Sequence, residues 1–323
     1  MRHIVWPSIR APEGILFLKD LFVTVLLLPF LRQRFSLYIG ADCLNALAGI
    51  LLRELGFVRK VVLFDVDYVP RRYVNTIMNR LYHMLNSLSS RRSDIIWCQT
   101  TSIALAKERQ GIDRRNMLVV PQGVRATSRR TREKSRIQPR LVYLGGLTKS
   151  KGVQLVLEAL TDIRKDFPEI KFVVVGTGPF ESSLRELAQS KGLNSSVEFL
   201  GYVADRSRVL SVLAECDIGL APYVPDPNEA SYYGDPGKVK DYLACGLPVI
   251  MTRVPSFSRE VENAGAGILI NYDRHELVTA VSKLLKDKDF PKMCRMNALR
   301  LASQYDPSKI FDDAIRKTFQ KLA

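Results

Sequence analysis

Apolar positions along the chain fall into short continuous runs separated by longer stretches of helical spacing. In the first half, Leu37–Ile39 is a short apolar run, and Leu44–Leu55 repeats its apolar residues with helical periodicity. Lys60–Phe64 (KVVLF) reads as a buried strand that ends at Asp65-Val66-Asp67. Tyr73–Leu88 is helical, Ile95–Cys98 a strand and Ser102–Arg109 a helix. Met117–Val120 is a strand closed by Pro121 and Gly123. Arg125–Arg140 is strongly basic and poor in apolar residues, which is the composition of a linker. The pattern then restarts at Leu141–Leu144. Strands are expected at Lys171–Val175, Val197–Leu200, Ile218–Ala221, Pro248–Met251 and Gly267–Ile270. Helices are expected at Val153–Phe167, Phe180–Lys191, Val203–Glu215, Lys238–Cys245, Ser258–Asn263, Glu276–Lys286 and Pro307–Lys321. Strands alternating with helices at this pitch imply right-handed βαβ units and parallel sheets. Ligands of such sheets bind outside the carboxyl ends of the strands, so each turn that follows a strand is a candidate site.

One stretch does not fit the alternation. Ile15–Leu31 is the most apolar segment, but its uncharged part runs only from Leu21 to Leu31. That is too short for the roughly 20 residues that span a bilayer. Glu13 and Asp20 precede the run and no small-residue cleavage site follows, so it does not read as a signal peptide. Two readings remain: a buried helix, or a helix in the membrane interface with Arg32 and Arg34 at the headgroups.

Charge sharpens the picture. The formal net charge is +15. Residues 1–140 hold 24 basic and 10 acidic side chains, a difference of +14, so the rest of the chain contributes +1. Such asymmetry points to a polyanionic partner for the first half alone. No helix-turn-helix, zinc-spaced or aromatic ribonucleoprotein motif is present, so an anionic membrane surface is expected and nucleic acid is not. Cys43, Cys98, Cys216, Cys245 and Cys294 are odd in number and contain no CxxC pair. That usage suits small buried residues in a reducing compartment, not a disulfide framework or a zinc site.

Three turns carry chemistry. Leu144–Gly152 (LGGLTKSKG) places Gly145 and Gly146 after a strand, with Lys149 and Lys151 near the start of a helix, where free amides favour anions. Val173–Pro179 (VVVGTGP) bends tightly at Gly176 and Gly178, without the third glycine of the dinucleotide fingerprint. Tyr232–Ile250 (YYGDPGKVKDYLACGLPVI) combines a rigid loop at Gly234, Pro236 and Gly237 with Lys238 at a helix start. Asp241 lies three residues on, and Gly246-Leu247-Pro248 stops the helix. Loop amides with a cation suit a diphosphate, and a carboxylate on the same helical face suits a ribose diol.

Residues 141–270 resemble the donor-binding domain of glycosyltransferase family 4. GGLTKSKG is similar to that family's GRLxxxKG. VVVGTGP followed by VEFLGYV resembles its VGxGP and V-x-F-x-G pair, and KVKDYLACGLPVI resembles its K-x-x-E-Y-M-A-x-G-x-P-V-I. VLFDVDYVPRRY and SDIIWCQT resemble, more loosely, the acceptor domains of some members. The resemblance implies an α/β chain of GT-B architecture, with two Rossmann-like domains whose parallel sheets face a central cleft. The boundaries expected are 1–138 for an acceptor-side domain, 139–305 for a donor-binding domain and 306–323 for a C-terminal helix crossing back. The activity implied is retaining, metal-independent transfer of a sugar from a UDP- or GDP-linked donor, with no cofactor. A glycan or lipid-linked acceptor in cell-surface polysaccharide or glycolipid synthesis is expected, on the inner face of the cell membrane.

Roles carry over residue by residue. Lys151 matches the family's phosphate-binding lysine. Asp241 matches the second Glu of its E-x7-E motif, which holds the donor ribose. Gly234, Asp235, Gly237 and Lys238 match the loop facing the donor sugar and diphosphate, and Tyr202 and Val203 match the loop that touches the base. The chain departs from the pattern at several points. Gly146 replaces an arginine, with Lys149 as the candidate substitute. Tyr233 stands where the first Glu of E-x7-E would be. Asp65 and Val66 occupy the strand end where many members carry a histidine. No glycine-rich loop opens the first domain, which reads as shortened at its N-terminus. Asp67 is the candidate for orienting the acceptor hydroxyl, while Asp65-Val66-Asp67 also has the spacing of a metal-binding DxD. These departures leave two rivals open: a non-catalytic subunit that binds a partner or membrane, and a nucleotide-sugar epimerase.

Overall fold

The protein is described here by a computed structural model covering residues 13–27, 30, 33–125 and 138–323. Arg32, invoked for the first apolar segment, lies outside the described residues, as does most of the basic run between Arg125 and Arg140. The chain forms two compact units, 1–120 with 314–323, and 121–313. The division falls at Val120, ahead of the basic run.

In the first unit, α1 (Glu13–Leu27) precedes β1 (Phe35–Ala41), α2 (Asp42–Glu54), β2 (Val58–Asp65), α3 (Thr76–Arg92), β3 (Ile95–Cys98), α4 (Thr101–Arg109) and β4 (Met117–Val119). The four strands are parallel and lie in sequence order. Val61, Val62, Leu63, Ile95, Ile96 and Trp97 are buried, as strands covered on both faces require. Helix starts follow their caps. Asn75 accepts from the Ile77 and Met78 amides, so α3 begins after Tyr73, where apolar periodicity alone would start it. Thr100 caps α4 in the same way. Gly40, near the end of β1, lies against the backbone of α2, where a Cβ would meet the Ala46 amide at 2.4 Å.

The second unit holds β5 (Arg140–Leu144), α5 (Val153–Asp166), β6 (Lys171–Val175), α6 (Glu181–Ser190), β7 (Val197–Gly201), α7 (Arg206–Ala214) and β8 (Ile218–Ala221). They are followed by α8 (Ala230–Tyr233), α9 (Gly237–Ala244), β9 (Val249–Thr252), α10 (Ser258–Ala264), β10 (Gly267–Ile270), α11 (Arg274–Lys286), α12 (Phe290–Ala302) and α13 (Pro307–Leu322). Its six parallel strands run in the order β10-β9-β8-β5-β6-β7. That is the doubly wound order, in which winding reverses between the first and fourth strands of the unit, here β5 and β8. Two apolar clusters cover the sheet, one led by Leu155, Leu160 and Phe172, the other by Val173, Leu243 and Met251. Each fully buried Leu, Ile, Val or Phe contributes about 1.5–3 kcal/mol. Asp205 caps α7 and trims it to Arg206, three residues inside the stretch that suggested Val203 as its start. From Ala314 onward, α13 belongs to the first unit, where the Trp97 indole donates to Thr318 at 2.8 Å. All five cysteines are buried thiols outside any disulfide.

Candidate functional site

The reversal of winding brings the turns after β5 and β8 side by side in the second unit. β5 ends at Leu144 and passes into Gly145 and Gly146; β8 ends at Ala221 and passes into Pro222 and Tyr223. Tyr242 on α9 ties the two strand ends together. Its hydroxyl accepts from the Leu144 amide at 2.7 Å and donates to the Leu220 carbonyl at 3.2 Å. This fixes α9 at the switch point and aims its first turn at the same place.

Lys238, in that first turn, has an ammonium shut off from solvent with no hydrogen-bond partner among the described residues, although the residue as a whole is only half-buried. The Nζ lies 3.9 Å from the ring centre of Tyr143 and 5.3 Å from that of Tyr223. Gly145 lies directly against it, since a Cβ there would stand 3.0 Å from Nζ. Lys151 approaches Tyr223 as well, with its Nζ 5.5 Å from the ring centre, and donates to Ser231 Oγ at 2.8 Å. Burial, and then repulsion from Lys151, hold the Lys238 pKa well below that of a free lysine. Aromatic faces soften the cost of two cations but do not neutralise them. The arrangement has excess positive charge aimed at a strand-end turn, which is what an incoming polyanion requires.

The glycines shape the same turn. Gly145 and Gly176 both sit at positive φ, +129° and +132°. A Cβ on Gly176 would come within 2.1 Å of the Gly145 carbonyl, so the turns after β5 and β6 are in backbone contact. Gly178 packs against the Leu147 backbone. Gly146 is exposed, and its carbonyl accepts from the Tyr143 hydroxyl at 2.8 Å. Lys149 and Lys151 lie on a single 3₁₀ turn before α5, with Lys149 exposed.

The remaining candidates divide. Asp241 on α9 has a 16% exposed carboxylate that accepts from Arg206 at 2.7 Å, and burial raises its pKa. Arg206 was not a sequence candidate. Tyr202 is 77% exposed after β7, and Val203 packs partly into the core. Tyr233 stacks edge-on against Tyr232 in α8, and Gly234 ends that helix. Gly237 begins α9 against the Gln122 side chain. Asp235 does not present its side chain to this turn. Its carboxylate is 3% exposed and paired with the equally buried Lys240 at 2.5 Å. Asp235 also accepts from the Gln122 amide at 2.7 Å, and Lys240 donates to the Gln122 carbonyl at 2.7 Å. Lys240 lies over the rings of Tyr305 and Phe257, at 4.2 and 5.0 Å. Burial dominates both groups, raising the Asp235 pKa and lowering that of Lys240. Asp235 therefore stitches the segment at Gln122 to the first turn of α9.

In the first unit, the ends of β1 and β2 open into a cavity of about 180 Å³ lined by Asp42, Asp65, Asp67, Arg72, Tyr82 and Asn86, among others. Asp67 is exposed at its edge. Asp42 holds φ at +69°, and its carboxylate accepts from the Leu44 and Asn45 amides at 2.9 and 3.0 Å. Asp65 is buried 2.6 Å from the Lys107 ammonium, which also donates to Asn86 and Ser90. That pairing engages the first carboxylate of the DxD spacing. Among the described residues no group of three or more His, Cys, Asp and Glu is placed to hold a metal ion.

Residues 138–287 match the family model described as Glycosyl transferases group 1. A glycosyltransferase named for colanic acid biosynthesis in Escherichia coli K12, WcaL, is 25% identical over 247 residues, covering 75% of this chain and 58% of that protein. A GDP-mannose-dependent alpha-(1-6)-phosphatidylinositol dimannoside mannosyltransferase of Mycobacterium tuberculosis is 28% identical over 213 residues, 63% of this chain and 51% of that one. The chain thus spans about half the length of these curated relatives. The crystal structure of Anabaena HepE in complex with UDP aligns with a TM-score of 0.73 and 19% identity, over 94% of this chain and 82% of that one. Two parallel α/β sheets with neighbours of this kind over nearly the whole chain make the fold GT-B.

Proposed function

We propose, from the premise that this chain belongs to the group 1 glycosyltransferase family through residues 138–287, that it transfers a hexose from a nucleoside-diphosphate sugar to a hydroxyl of a glycan or lipid-linked acceptor. The observation that carries the reading is the enclosed Lys238 ammonium beside Lys151 at the β5–β8 switch point. A diphosphate there accepts hydrogen bonds from both ammonium groups, and the Lys238 pKa returns toward its ordinary value. During transfer the bond from the anomeric carbon to the diphosphate oxygen breaks, and a bond to the acceptor oxygen forms. The acceptor proton passes to the departing diphosphate, and the two lysines stabilise the charge that develops on that oxygen. Retention of configuration and catalysis without a metal belong to this reading. Asp241 takes a ribose hydroxyl once Arg206 yields its bond, and Tyr202 lies against the base. HepE bound to UDP supports a uridine donor, and the GDP-mannose-dependent relative supports a guanosine one.

The first unit takes the acceptor in this reading, with Asp67 orienting the attacking hydroxyl. The phosphatidylinositol-mannoside specificity named for the mycobacterial relative and the basic first half both support an acceptor at an anionic membrane, on its cytoplasmic face. No helix among the described residues is long and apolar enough to cross one. Calorimetric titration with UDP and GDP, followed by product analysis with radiolabelled donors on membrane extracts, tests the proposal. Binding of one nucleotide and acceptor-dependent transfer are expected. Absence of binding for both nucleotides overturns it, and an altered donor sugar released without any acceptor would identify an epimerase instead.

A further inference from the structure

Helix α3 is turned inside out. Its buried residues are Asn86, Ser89 and Ser90, and Asn86 and Ser90 serve the Lys107 ammonium. Asn79 and His83 likewise bond to the Pro70 carbonyl on the protein side. Its large apolar residues face out instead: Ile77, Leu81, Met84 and Leu88 are 76, 41, 59 and 44% exposed. At about 100° per residue these four lie within roughly 60° of one another, on one stripe. Arg80, Arg91 and Arg92 flank that stripe and are exposed. Arg91 also donates to the Gln110 carbonyl. From Tyr68 to Ser93 the sequence contains five arginines and no Asp or Glu.

We propose that this face of α3 docks on an anionic lipid surface, with Ile77, Leu81, Met84 and Leu88 entering the headgroup–acyl boundary and Arg80, Arg91 and Arg92 meeting phosphates. The proposal rests on the membrane-associated part of the proposed function and names the surface that serves it. An apolar stripe flanked by cations with no anion between them is complementary to anionic lipid. The opposite face of the same helix supplies Tyr82 and Asn86 to the cavity at the ends of β1 and β2. Docking would thereby hold that cavity close to lipid headgroups.

Flotation of the purified full chain with phosphatidylcholine vesicles, with and without phosphatidylglycerol, tests this surface. Binding is expected only to the anionic vesicles and is expected to weaken with salt. The triple variant Leu81→Ser, Met84→Ser, Leu88→Ser should lower the partition coefficient about a hundredfold. The double variant Arg80→Glu, Arg92→Glu should lower it about as much at low salt. Both should melt at the wild-type temperature, because the positions are exposed. No binding to anionic vesicles, binding that survives both sets of substitutions, or a wild-type dimer that the triple variant turns into a monomer would each overturn the proposal. Titration of the same preparations with UDP and GDP keeps a failed surface distinct from a failed donor site, since nucleotide binding requires no lipid.

Discussion

Replacing Lys238 by methionine separates two effects that the lysine combines. The Nζ is enclosed, has no hydrogen-bond partner among the described residues, and is repelled by Lys151. In the free protein it is an ionisable group without a counter-ion, so its removal relieves a cost. Methionine keeps the length and most of the volume of the side chain against Tyr143 and Tyr223. Exchanging a poorly compensated buried charge for an apolar side chain of similar size stabilises by about 1–4 kcal/mol. For a unit of this size each kcal/mol raises Tm by about 2–4 °C. The bound state moves the other way, because a charge-assisted hydrogen bond to phosphate is worth about 1.5–3 kcal/mol. UDP or GDP affinity should therefore fall about 10- to 150-fold while Tm rises by several degrees. Thermal melting without nucleotide and isothermal titration with it read the two effects separately. A Lys238→Met variant that melts below the wild type and binds nucleotide equally well would refute the reasoning, because the ammonium would then be a structural group.

The lowered pKa of Lys238 gives the same site a pH signature. The folded state disfavours the charged lysine, so the penalty is present in full below the folded pKa. It is relieved as pH rises through that value toward the ordinary lysine range, and stability contributed at this position increases with pH in that window. On the proposed function, phosphate binding should reverse the shift. Nucleotide binding should therefore take up a proton within the window, and affinity should fall as pH rises through it. Titrations in buffers of different ionisation enthalpy measure the uptake, and the Met variant should show none from this position.

Three further expectations rest on other contacts. Lys107→Ala leaves Asp65 buried without its cation and should destabilise the first unit by about 3–5 kcal/mol in chemical denaturation. Asp235→Ala should cost the second unit a similar amount by stranding Lys240, and adding Lys240→Met should restore most of it, which a double-mutant cycle measures directly. Gly176→Ala forces a Cβ toward the Gly145 carbonyl at positive φ and should cost about 1–3 kcal/mol or more in melting experiments, with weaker nucleotide binding because Gly145 lies against Lys238.

What the sequence conveyed, and what it withheld, follows from the range of the forces involved. Strand and helix alternation was legible because burial acts locally on periodicity, and ten parallel strands among the described residues match it. That LGGLTKSKG and the turn before α9 are each candidate sites was legible through strand-end logic, since each follows a strand. The rings of Tyr143 and Tyr223 were not, because nothing local shows that β5 neighbours β8. Asp235 read as a donor-facing loop residue on its resemblance alone. Its partner Lys240 was visible as a lysine between Val239 and Leu243 on a buried helix, a placement that usually demands a nearby carboxylate. Lys107 carried the same sign, three and four residues from the buried Ala104 and Ile103 on α4. A buried charge in an apolar pattern announces that a counter-ion exists, but its identity depends on long-range packing. Helix α3 shows the sharper limit. Periodicity reveals that one face is apolar and the other polar, and the default places the apolar face inward. Here Lys107 reverses that default, because a buried ammonium needs Asn86 and Ser90 more than the core needs Leu81 or Met84. The direction a helix faces is thus set by the most expensive group it must satisfy, and in this unit that group is a cation on another helix.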